Sequence, residues 1–473
     1  MISQTFAMCI SYKVAMINYD VIVLGGGPGG YLAAEHSGQA GLKTLCIEDR
    51  HLGGTCLNEG CIPTKTLLQS AKTYAHALRG DLYGVRAEKV TIDRGAVIDR
   101  KEKVIHTLVA GVGAALKASR VDLVNGRGVI TGRSAEGVTV QVGQELYTGK
   151  NLILATGSVN ARPPIPGLRE ALESGFVLTN RELLCQREAP ARLAVIGGGV
   201  IGLEMAAYCQ LTGTEVTVVE MLDHIAGPND GDLVKVLQKN LERDGMKFHL
   251  ETKVVAVREG TVVCEKNGQT FELSADKVLL AIGRKANSAG LGLETVGVEL
   301  ERGAVVTDAR MKTNAPGIYA VGDVNGKYML AHTAYREAEV AVNTILGKAD
   351  TMRYEAIPSV LYTVPELSSV GLSEAEAKAQ GRHVSVVKLP MQYSGRYVAE
   401  NEGGDGICKL VFDAKRNTLL GAQVLANSSS EFIVAAGIFI ELELTVDEMR
   451  EFVFPHPTVC EIFREALSQY KGK

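Results

Sequence analysis

The stretch Gly53-Gly54-Thr55-Cys56-Leu57-Asn58-Glu59-Gly60-Cys61-Ile62-Pro63-Thr64-Lys65 places two cysteines five positions apart, directly after a strand–glycine–helix unit. Pro63 is tolerated only in the first turn of a helix, so the sequence predicts a helix that begins near Cys61. Gly60 permits an irregular entrance to that helix, which would bring the two cysteine Cα atoms within the range of a disulfide. The positive end of the helix would also favour a thiolate on Cys61. The stretch therefore indicates a redox-active disulfide.

Two other interpretations of these cysteines stay open on the residues alone: half of a zinc site, or two unrelated buried thiols. A structural zinc site needs four ligands, usually in two close pairs. The other cysteines are scattered singly along the chain, at Cys9, Cys46, Cys185, Cys209, Cys264, Cys408 and Cys460. We therefore predict no metal site and expect the single cysteines to be core residues.

The size and composition of the chain are those of a multidomain globular protein. Its 473 residues suggest about three domains, and 46% hydrophobic and 22% charged residues are ordinary values. A net charge of −4 without a long basic run argues against nucleic acid or an anionic membrane as a partner. No apolar run approaches the ~20 residues of a membrane span, and residues 1–15 lack the pattern of a secretory signal. The odd count of nine cysteines suits a reducing compartment, so we expect the cytoplasm.

A dinucleotide-binding pattern lies immediately upstream of the two cysteines. Residues 19–24 predict a short strand, the glycine run 25–30 follows, and residues 31–41 predict a helix. A second strand at 43–47 ends at Glu48, about twenty residues after the glycines, where an acidic side chain binds a ribose. The glycines of this G-x-G-x-x-G let backbone amides approach a pyrophosphate at the helix N-terminus; they are Gly25, Gly27 and Gly30.

The same pattern recurs in the middle of the chain. A strand at 193–196 precedes a second glycine run at 197–202, a helix runs to residue 211, and a strand at 215–219 ends at Glu220. A carboxylate at that position accepts hydrogen bonds from ribose hydroxyls and repels a 2′-phosphate, and no arginine follows it at 221–224. This site is therefore predicted to prefer NAD over NADP. The alternative is a duplicated unit that no longer binds a nucleotide.

Two dinucleotide patterns and a dithiol pair in one chain resemble the FAD-dependent pyridine nucleotide–disulfide oxidoreductases, from about residue 16 onward. Residues 154–158 (Leu-Ala-Thr-Gly-Ser) resemble the motif that joins the FAD domain of that family to its NAD domain. Residues 281–287 resemble the counterpart that leaves the NAD domain, and residues 313–323 resemble the second FAD signature. The resemblance implies an α/β fold with two Rossmann-like dinucleotide-binding domains, for FAD and NAD, and an α+β C-terminal dimerisation domain.

The resemblance also implies a division of the chain. We expect an N-terminal extension at 1–15, an FAD-binding domain at 16–158, an NAD-binding domain at 159–284, a second part of the FAD-binding domain at 285–352, and a dimerisation domain at 353–473.

Local patterns add several elements to this division. They predict a long amphipathic helix at 93–118, short strands of a side meander at 121–130 and 138–147, a hairpin at 407–412 and 418–425, and an apolar helix at 429–444. In the family this last domain forms the dimer interface, although any buried core helix would have the same apolar pattern.

The reactive residues of the family match single positions in this chain. Cys56 matches the thiol that meets the substrate, and Cys61 matches the thiol nearest the flavin. His456 lies in a stretch, 454–461, that resembles the family's C-terminal His-Pro-Thr-x-x-Glu. Its histidine would act as acid and base, and Glu461 would fix the tautomer and support the imidazolium. An isolated histidine would more often be an ordinary core or surface residue.

The cofactor-binding residues follow from the same resemblance. Lys65 and Glu204 match a lysine–glutamate pair beside the reactive edge of the flavin, for which the alternative is an ordinary surface ion pair. The other expected FAD-binding residues are Gly25, Gly27, Gly30, Glu48, Thr156, Gly157, Asp323 and Ala331. The expected NAD-binding residues, beside Glu204, are Gly197, Gly199, Gly202, Glu220 and Gly283. The chain departs from common family residues at Thr64, Val200, Phe454 and Pro455.

The implied activity is oxidation of a protein-bound dihydrolipoyl group to its disulfide, with reduction of NAD⁺ to NADH, through FAD and the Cys56–Cys61 disulfide. The alternatives are another NAD(P)H-dependent disulfide reductase of the family, or a redox-sensing flavoprotein of low turnover. The implied partners are a second copy of the chain, forming a homodimer, and a lipoyl-bearing carrier protein. The chain shows no recognisable lipoyl domain, so we expect the carrier to be a separate protein. It could belong to a 2-oxoacid dehydrogenase core, to the glycine-cleavage system or to another lipoyl protein.

Overall fold

The computed structural model describes residues 17–403 and 405–472, and the chain divides into two compact units. The first unit contains the described residues up to 58, together with 107–159 and 285–352. The second unit contains 59–106, 160–284 and the described residues from 353 onward. The extension at 1–15 lies outside the described residues, and the division of the chain into four domain segments stays a prediction.

A seven-stranded sheet forms the centre of the first unit. Its strands follow the order Asp122–Asn125, Thr44–Glu48, Ile17–Leu24, Glu145–Leu154, Val138–Val142 and Gly128–Arg133, with Ile318–Ala320 also paired to Glu145–Leu154. Val21, Ile22 and Val23 are fully buried, as expected for a parallel strand that is covered on both faces. The predicted strands at 19–24 and 43–47 are thereby confirmed, each with small shifts at the ends.

The predicted side meander was wrong in two respects. The predicted strand at 121–130 is two strands, because Gly126 interrupts it in a conformation with φ +152°. The predicted strand at 138–147 covers Val138–Val142 and only the start of Glu145–Leu154. Glu145–Leu154 continues past the meander and pairs in parallel with Ile17–Leu24 in the main sheet. Local patterns could not show this, since the paired strands are far apart in the sequence.

Helices and short elements complete the first unit. The helix after the first glycines is Pro28–Gln39 rather than 31–41, because proline is well suited to the first turn of a helix. It packs beside Ala331–Ile345. The remaining elements are the helix Gly54–Glu59, which ends at the boundary of the unit, the 3₁₀ turns Leu293–Val296 and Gly322–Asn325, and the paired strands Leu300–Glu301 and Ala304–Val305.

A five-stranded parallel sheet forms one part of the second unit. Its strands follow the order Lys247–His249, Glu215–Val219, Arg192–Ile196, Lys277–Leu280 and Val177–Leu178. The predicted strand at 215–219 is confirmed. The other elements of this part are the helices Leu168–Glu173, Asn180–Leu183, Val200–Leu211 and Gly231–Arg243, and the antiparallel strands Lys253–Arg258, Thr261–Lys266 and Gln269–Ser274.

The helix that carries the second cysteine also belongs to the second unit. It spans Cys61–Leu78, which confirms a helix that begins near Cys61, and it packs against Val200–Leu211. Leu67, Leu68 and Leu203 are buried in one shared core. The 3₁₀ turn Gly80–Tyr83 follows, and the helix Arg94–Ala118 then continues into the first unit. The short strands Ser158–Asn160 and Arg284–Ala286 also span boundaries between the units.

An antiparallel sheet with helices ends the chain. Its strands follow the order Ser359–Leu361, Glu366–Gly371, Thr418–Ala426, Ile407–Asp413 and Val384–Pro390, which confirms the predicted hairpin. The helices are Glu374–Ala379, Gly395–Glu400, Ser429–Glu441, Val446–Arg450 and Glu461–Gln469, and a 3₁₀ turn lies at Met391–Tyr393. One mixed sheet and one parallel sheet, each with a glycine turn, and this α+β part agree with the predicted fold class. Among the described residues, no helix is both long and apolar enough to cross a membrane.

Candidate active site

The first glycine turn connects Ile17–Leu24 to Pro28–Gln39 and leaves no room for side chains at two of its glycines. Gly25 has φ +103°, and a Cβ there would lie 2.3 Å from the carbonyl oxygen of Ala155. A Cβ on Gly30 would lie 1.7 Å from the carbonyl oxygen of Gly25. The Gly26 N–H donates to Glu48 Oε2 at 2.6 Å, so the acidic residue at the end of the second strand lies directly at the turn.

The space beside Gly27 leads to the segment of the first cysteine. A Cβ on Gly27 would meet only the Cα of Gly54, at 3.8 Å. Gly54 begins the short helix Gly54–Glu59, on which Cys56 is partly buried. Cys56 lies close enough to Tyr31 to contribute to the raised pKa of that phenol, after burial and the hydrogen bond with Tyr335. The first turn therefore lies beside both the space for a dinucleotide and one of the two thiols.

The other candidate flavin residues of the first unit lie where its strands end. Thr156 and Gly157 follow Glu145–Leu154; the Thr156 Oγ1 hydroxyl donates to the carbonyl oxygen of Asn287 at 2.8 Å, and Gly157 has φ +71°. Asp323 lies on the turn Gly322–Asn325 and accepts a hydrogen bond from Ser158 Oγ. Ala331 is the first residue of the helix Ala331–Ile345.

The second glycine turn repeats the geometry of the first. Gly197 has φ +105°, and its Cβ would lie 2.4 Å from the carbonyl oxygen of Ala281; a Cβ on Gly202 would lie 2.1 Å from that of Gly197. The Gly198 N–H donates to Glu220 Oε2 at 2.7 Å. A Cβ on Gly199 would meet no atom within 4 Å, so open space lies beside this glycine. Gly283, with φ +102°, follows the neighbouring strand Lys277–Leu280.

The entrance to the helix Cys61–Leu78 is irregular. Gly60 precedes the helix with φ −141° and ψ −110°, outside the common α and β regions. Cys61 is the first residue of the helix, where the macrodipole favours negative charge. Cys61 and Tyr362 are near neighbours, and the thiol contributes to the raised pKa of Tyr362, about 12, after burial and the carboxylates of Glu366, Glu204 and Glu431.

Lys65 and Glu204 form an ion pair one helical turn beyond Cys61. The two distances from Lys65 Nζ to the Glu204 carboxylate oxygens are 2.8 and 3.0 Å. Glu204 is 4% exposed, and its Oε1 also accepts the Tyr362 N–H at 3.0 Å. Lys65 Nζ lies 4.2 Å from the centroid of the Tyr362 ring. Tyr362 therefore contacts both members of the pair, which differs from an exposed surface ion pair.

His456 and Glu461 form a hydrogen-bonded pair elsewhere in the second unit. His456 Nδ1 lies 2.7 Å from Glu461 Oε1, and the Thr458 N–H donates to Glu461 Oε2 at 2.8 Å. Burial opposes ionisation of Glu461, but the hydrogen bonds from Thr458 and His456 outweigh it and hold the pKa of the carboxyl below its ordinary value. The ionised carboxylate can therefore fix the orientation of the ring and support its protonated form.

The His456 side chain is itself accessible. It is 78% exposed, whereas the Glu461 side chain is 10% exposed. A buried carboxylate thus holds an imidazole ring that faces away from the core. This arrangement suits a proton-transfer group for a partner that approaches from outside the chain.

Two tyrosines near the thiols were missed by sequence reasoning. Tyr362 contacts both members of the Lys65–Glu204 pair, and Tyr31 shares a 2.6 Å contact between hydroxyls with Tyr335. Neither tyrosine stands in a spacing that marks a reactive residue, so the sequence contained no signal for them. Within the described residues, no group of three or more His, Cys, Asp or Glu side chains could hold a metal ion.

Family models match most of the chain. Residues 19–338 match the model described as pyridine nucleotide-disulphide oxidoreductase, and residues 357–467 match the dimerisation domain of the same family. These matches agree with the family resemblance identified from the sequence.

Curated relatives match the chain over nearly its whole length. A dihydrolipoyl dehydrogenase of Chlamydia muridarum is 37% identical over 95% of this chain and 96% of its own. Dihydrolipoyl dehydrogenase 3 of Pseudomonas aeruginosa is 37% identical over 97% of this chain and 99% of its own. The dihydrolipoyl dehydrogenase of Bacillus subtilis is 36% identical over 96% and 98% of the two chains.

Solved structures of two kinds are similar to the chain. LpdA from Mycobacterium tuberculosis has a TM-score of 0.87 and 25% identity, over 96% of this chain and 99% of its own. The HOCl-induced flavoprotein disulfide reductase RclA from Escherichia coli has a TM-score of 0.84 and 28% identity, over 96% and 100%. The similar proteins thus include several named dihydrolipoyl dehydrogenase and one named flavoprotein disulfide reductase.

Proposed function

The chain belongs to the pyridine nucleotide-disulphide oxidoreductase family, and from that premise we propose that it oxidises protein-bound dihydrolipoyl groups with NAD⁺. The products are the lipoyl disulfide and NADH. The names of the curated relatives support the choice of this reaction within the family. Cys56, Cys61, His456 and Glu461 are the proposed catalytic residues, and FAD and NAD are the proposed cofactors.

The observation that carries the proposal is the pair of equivalent glycine turns in a chain that also contains a dithiol. Each turn has a glutamate that accepts an N–H from its second glycine, at 2.6 Å for Glu48 and 2.7 Å for Glu220. A single dinucleotide would need only one such turn. Two turns suit an enzyme that passes electrons from a dithiol through one bound dinucleotide to another.

The residues of the first turn fit FAD. The turn excludes side chains at Gly25 and Gly30, while Gly27 leaves space for a pyrophosphate beside the start of Pro28–Gln39. Glu48 would bind a ribose, and Asp323 would bind the ribityl chain. Bound FAD would supply the two-electron redox chemistry that connects a dithiol to NAD⁺.

The residues of the second turn fit NAD. Gly199 faces open space, and Val200–Leu211 begins without a side-chain cap, so its amides can approach a pyrophosphate. Glu220 would bind the adenosine ribose. Lys65, held by Glu204, would place positive charge near the flavin.

The proposed thiol chemistry uses the chain's own sulfur atoms and one histidine. A substrate thiol attacks Cys56 Sγ, the Cys56–Cys61 bond breaks, and His456 takes the proton of the attacking thiol. The second substrate thiol then attacks the sulfur bound to Cys56, which forms the lipoyl disulfide and releases Cys56. One dithiol is oxidised and one disulfide reduced, so the electron pair now lies on Cys56 and Cys61.

The proposed partners are a second copy of the chain and a lipoyl-bearing carrier protein. The match to a dimerisation domain at 357–467 supports a homodimer. The proposed carrier is a lipoyl protein of a 2-oxoacid dehydrogenase core or of the glycine-cleavage system. A cytoplasmic location stays a prediction.

A comparison of three substrate pairs tests the proposal. Steady-state turnover of the FAD-loaded enzyme should be fast with dihydrolipoamide and NAD⁺ and much slower with glutathione disulfide and NADPH or with Hg²⁺ and NADPH. Preference for either NADPH pair would assign the chain to another reductase of the family. Negligible turnover with all three, in a protein that retains FAD, would favour the low-turnover redox sensor.

Glu220→Arg should reverse the preference between the two nicotinamide dinucleotides. The change removes an acceptor for the ribose hydroxyls and replaces repulsion of a 2′-phosphate with attraction. We expect kcat/KM for NAD⁺ to fall by about ten- to a hundredfold, the range of one charged hydrogen bond, while kcat/KM for NADP⁺ rises. Initial rates with NAD⁺ and with NADP⁺ are measured by the absorbance of the NADH or NADPH formed.

Glu215→Arg is the matched control for this substitution. Glu215 begins the same strand and makes an exposed ion pair with Lys247, so the same change of charge there should leave the NAD⁺/NADP⁺ ratio unaltered. Equal ratios in wild type and Glu220→Arg, with equal unfolding midpoints, would mean that another residue determines coenzyme choice.

A further inference from the structure

A chain of hydrogen bonds in the second unit ends at the backbone carbonyl of Glu59, directly before Gly60 and Cys61. The Asn180 Nδ2 amide donates to the carbonyl oxygen of Glu59 at 2.6 Å. Asn180 Oδ1 in turn accepts Asn160 Nδ2 at 3.1 Å, and Asn160 Oδ1 accepts Arg284 Nη1 at 2.7 Å. The two Asn side chains are therefore oriented by partners at both ends, and Asn180 can present only its N–H to Glu59.

Asn180 is itself firmly positioned. It is 7% exposed and is the first residue of the helix Asn180–Leu183. A capping box between Thr179 and Glu182 fixes the start of that helix. The Asn180 side chain is therefore already ordered, so its hydrogen bond to the Glu59 carbonyl costs little additional side-chain entropy.

The held carbonyl belongs to the peptide unit that enters Gly60. Gly60 has the unusual φ −141° and ψ −110°, and Cys61 follows it directly. Glycine can adopt many other conformations at this joint at little cost. A hydrogen bond that fixes the preceding peptide plane therefore restricts the path of the chain between Cys56 and Cys61.

We propose that Asn180 is a positioning residue that stabilises the Cys56–Cys61 disulfide by fixing the Glu59–Gly60 peptide. The inference rests on the proposed function, because it requires that these two cysteines pair. A disulfide demands a narrow range of Cα separation, whereas two thiols demand none. The disulfide already restricts the segment between the two cysteines, so the hydrogen bond removes little further conformational freedom from it. The dithiol form is freer and loses more, so the hydrogen bond shifts the equilibrium towards the disulfide.

Asn180→Leu tests the inference, since leucine has a similar size and no donor. The holoenzyme without nicotinamide nucleotide is equilibrated with mixtures of reduced and oxidised dithiothreitol, in which one dithiol is oxidised for each protein disulfide reduced. Acid quenching, alkylation and mass spectrometry of the peptide that contains both cysteines then give the equilibrium constant. We expect disulfide formation to weaken by up to about tenfold, which is the effect of one buried hydrogen bond made only in the disulfide form and equals about 30 mV for a two-electron couple.

Two further variants separate positioning from general loss of structure. Arg181→Leu removes the 2.9 Å ion pair with the Glu59 side chain and leaves the carbonyl bond intact, so its equilibrium constant should match the wild type. Asn160→Leu removes the support of Asn180 and should give an intermediate value. Unfolding midpoints and flavin absorbance of all variants should be similar.

The outcomes distinguish the inference from the proposed function. A wild-type protein in which Cys56 and Cys61 never form a disulfide would contradict the proposed function itself. A wild-type disulfide whose equilibrium constant is unchanged in Asn180→Leu would overturn only the role of Asn180. An equal weakening in Arg181→Leu would show that the segment is disturbed in general, and would also overturn it.

Discussion

Neither a Cys56→Ser homodimer nor a His456→Gln homodimer should oxidise dihydrolipoamide at a useful rate, yet a mixture of the two should regain activity. Cys56→Ser cannot form the reactive disulfide, so its turnover should vanish. His456→Gln should lose about a hundred- to ten-thousandfold, the range of a general acid–base group. Dihydrolipoamide-dependent NADH formation measures both losses.

The recovery follows from the symmetry of a homodimer. The family resemblance implies that the histidine is supplied across the dimer interface, and His456 here is 78% exposed on its own chain. A two-fold interface creates two equivalent composite sites. In a mixed dimer one site lacks both groups, while the other combines an intact Cys56 with an intact His456. About half of the sites in each mixed dimer should therefore work.

Matched substitutions control for general damage to the fold. Cys185→Ser changes an exposed cysteine outside the proposed site, and His76→Gln changes a histidine in the last turn of Cys61–Leu78; both should retain wild-type turnover. Mass spectrometry must show that subunits have exchanged after co-refolding. If mixed dimers are present and no activity returns, Cys56 and His456 do not act together across an interface.

Much of the fold was predictable because its signals are local. The strand at 215–219 and the helix that begins at Cys61 depend on patterns of neighbouring residues, and both are confirmed. The pairing of Glu145–Leu154 with Ile17–Leu24 was missed. A strand records which of its faces is buried but not which distant strand it pairs with.

The candidate site was predictable to the same extent. The His456–Glu461 contact joins residues five positions apart and could be inferred from a short motif. The Lys65–Glu204 contact joins residues 139 positions apart, and only the family resemblance pointed to it. Asn180 belongs to no such motif and has an ordinary residue type. Its bond to the Glu59 carbonyl depends on packing within the second unit and could not be read from the sequence.

The exposed face of the helix Ser429–Glu441 gives the other large expected effect. Ile433, Ala436 and Phe439 on one face are buried against the antiparallel sheet. Val434 and Ile438, four positions apart on another face, are 53% and 50% exposed. The sequence could not separate an interface helix from a core helix, whereas the structure shows that this helix has one buried and one exposed apolar face. Because residues 357–467 match a dimerisation domain, we expect a second copy to cover the exposed face.

Ile438→Glu should therefore separate the homodimer and abolish turnover without unfolding the chain. Two-fold symmetry places two new negative charges in the interface, one from each copy. Each copy also loses the burial of an isoleucine. The dimer dissociation constant should therefore rise about a hundredfold or more. Sedimentation at several concentrations measures the dissociation, and activity should fall in parallel, because a single chain would lack the partner's His456. Leu300→Glu is the control: Leu300 is 47% exposed in the ribbon Leu300–Glu301 of the first unit, and its substitution should change neither quantity. Full activity in a demonstrably monomeric Ile438→Glu would place the whole site within one chain.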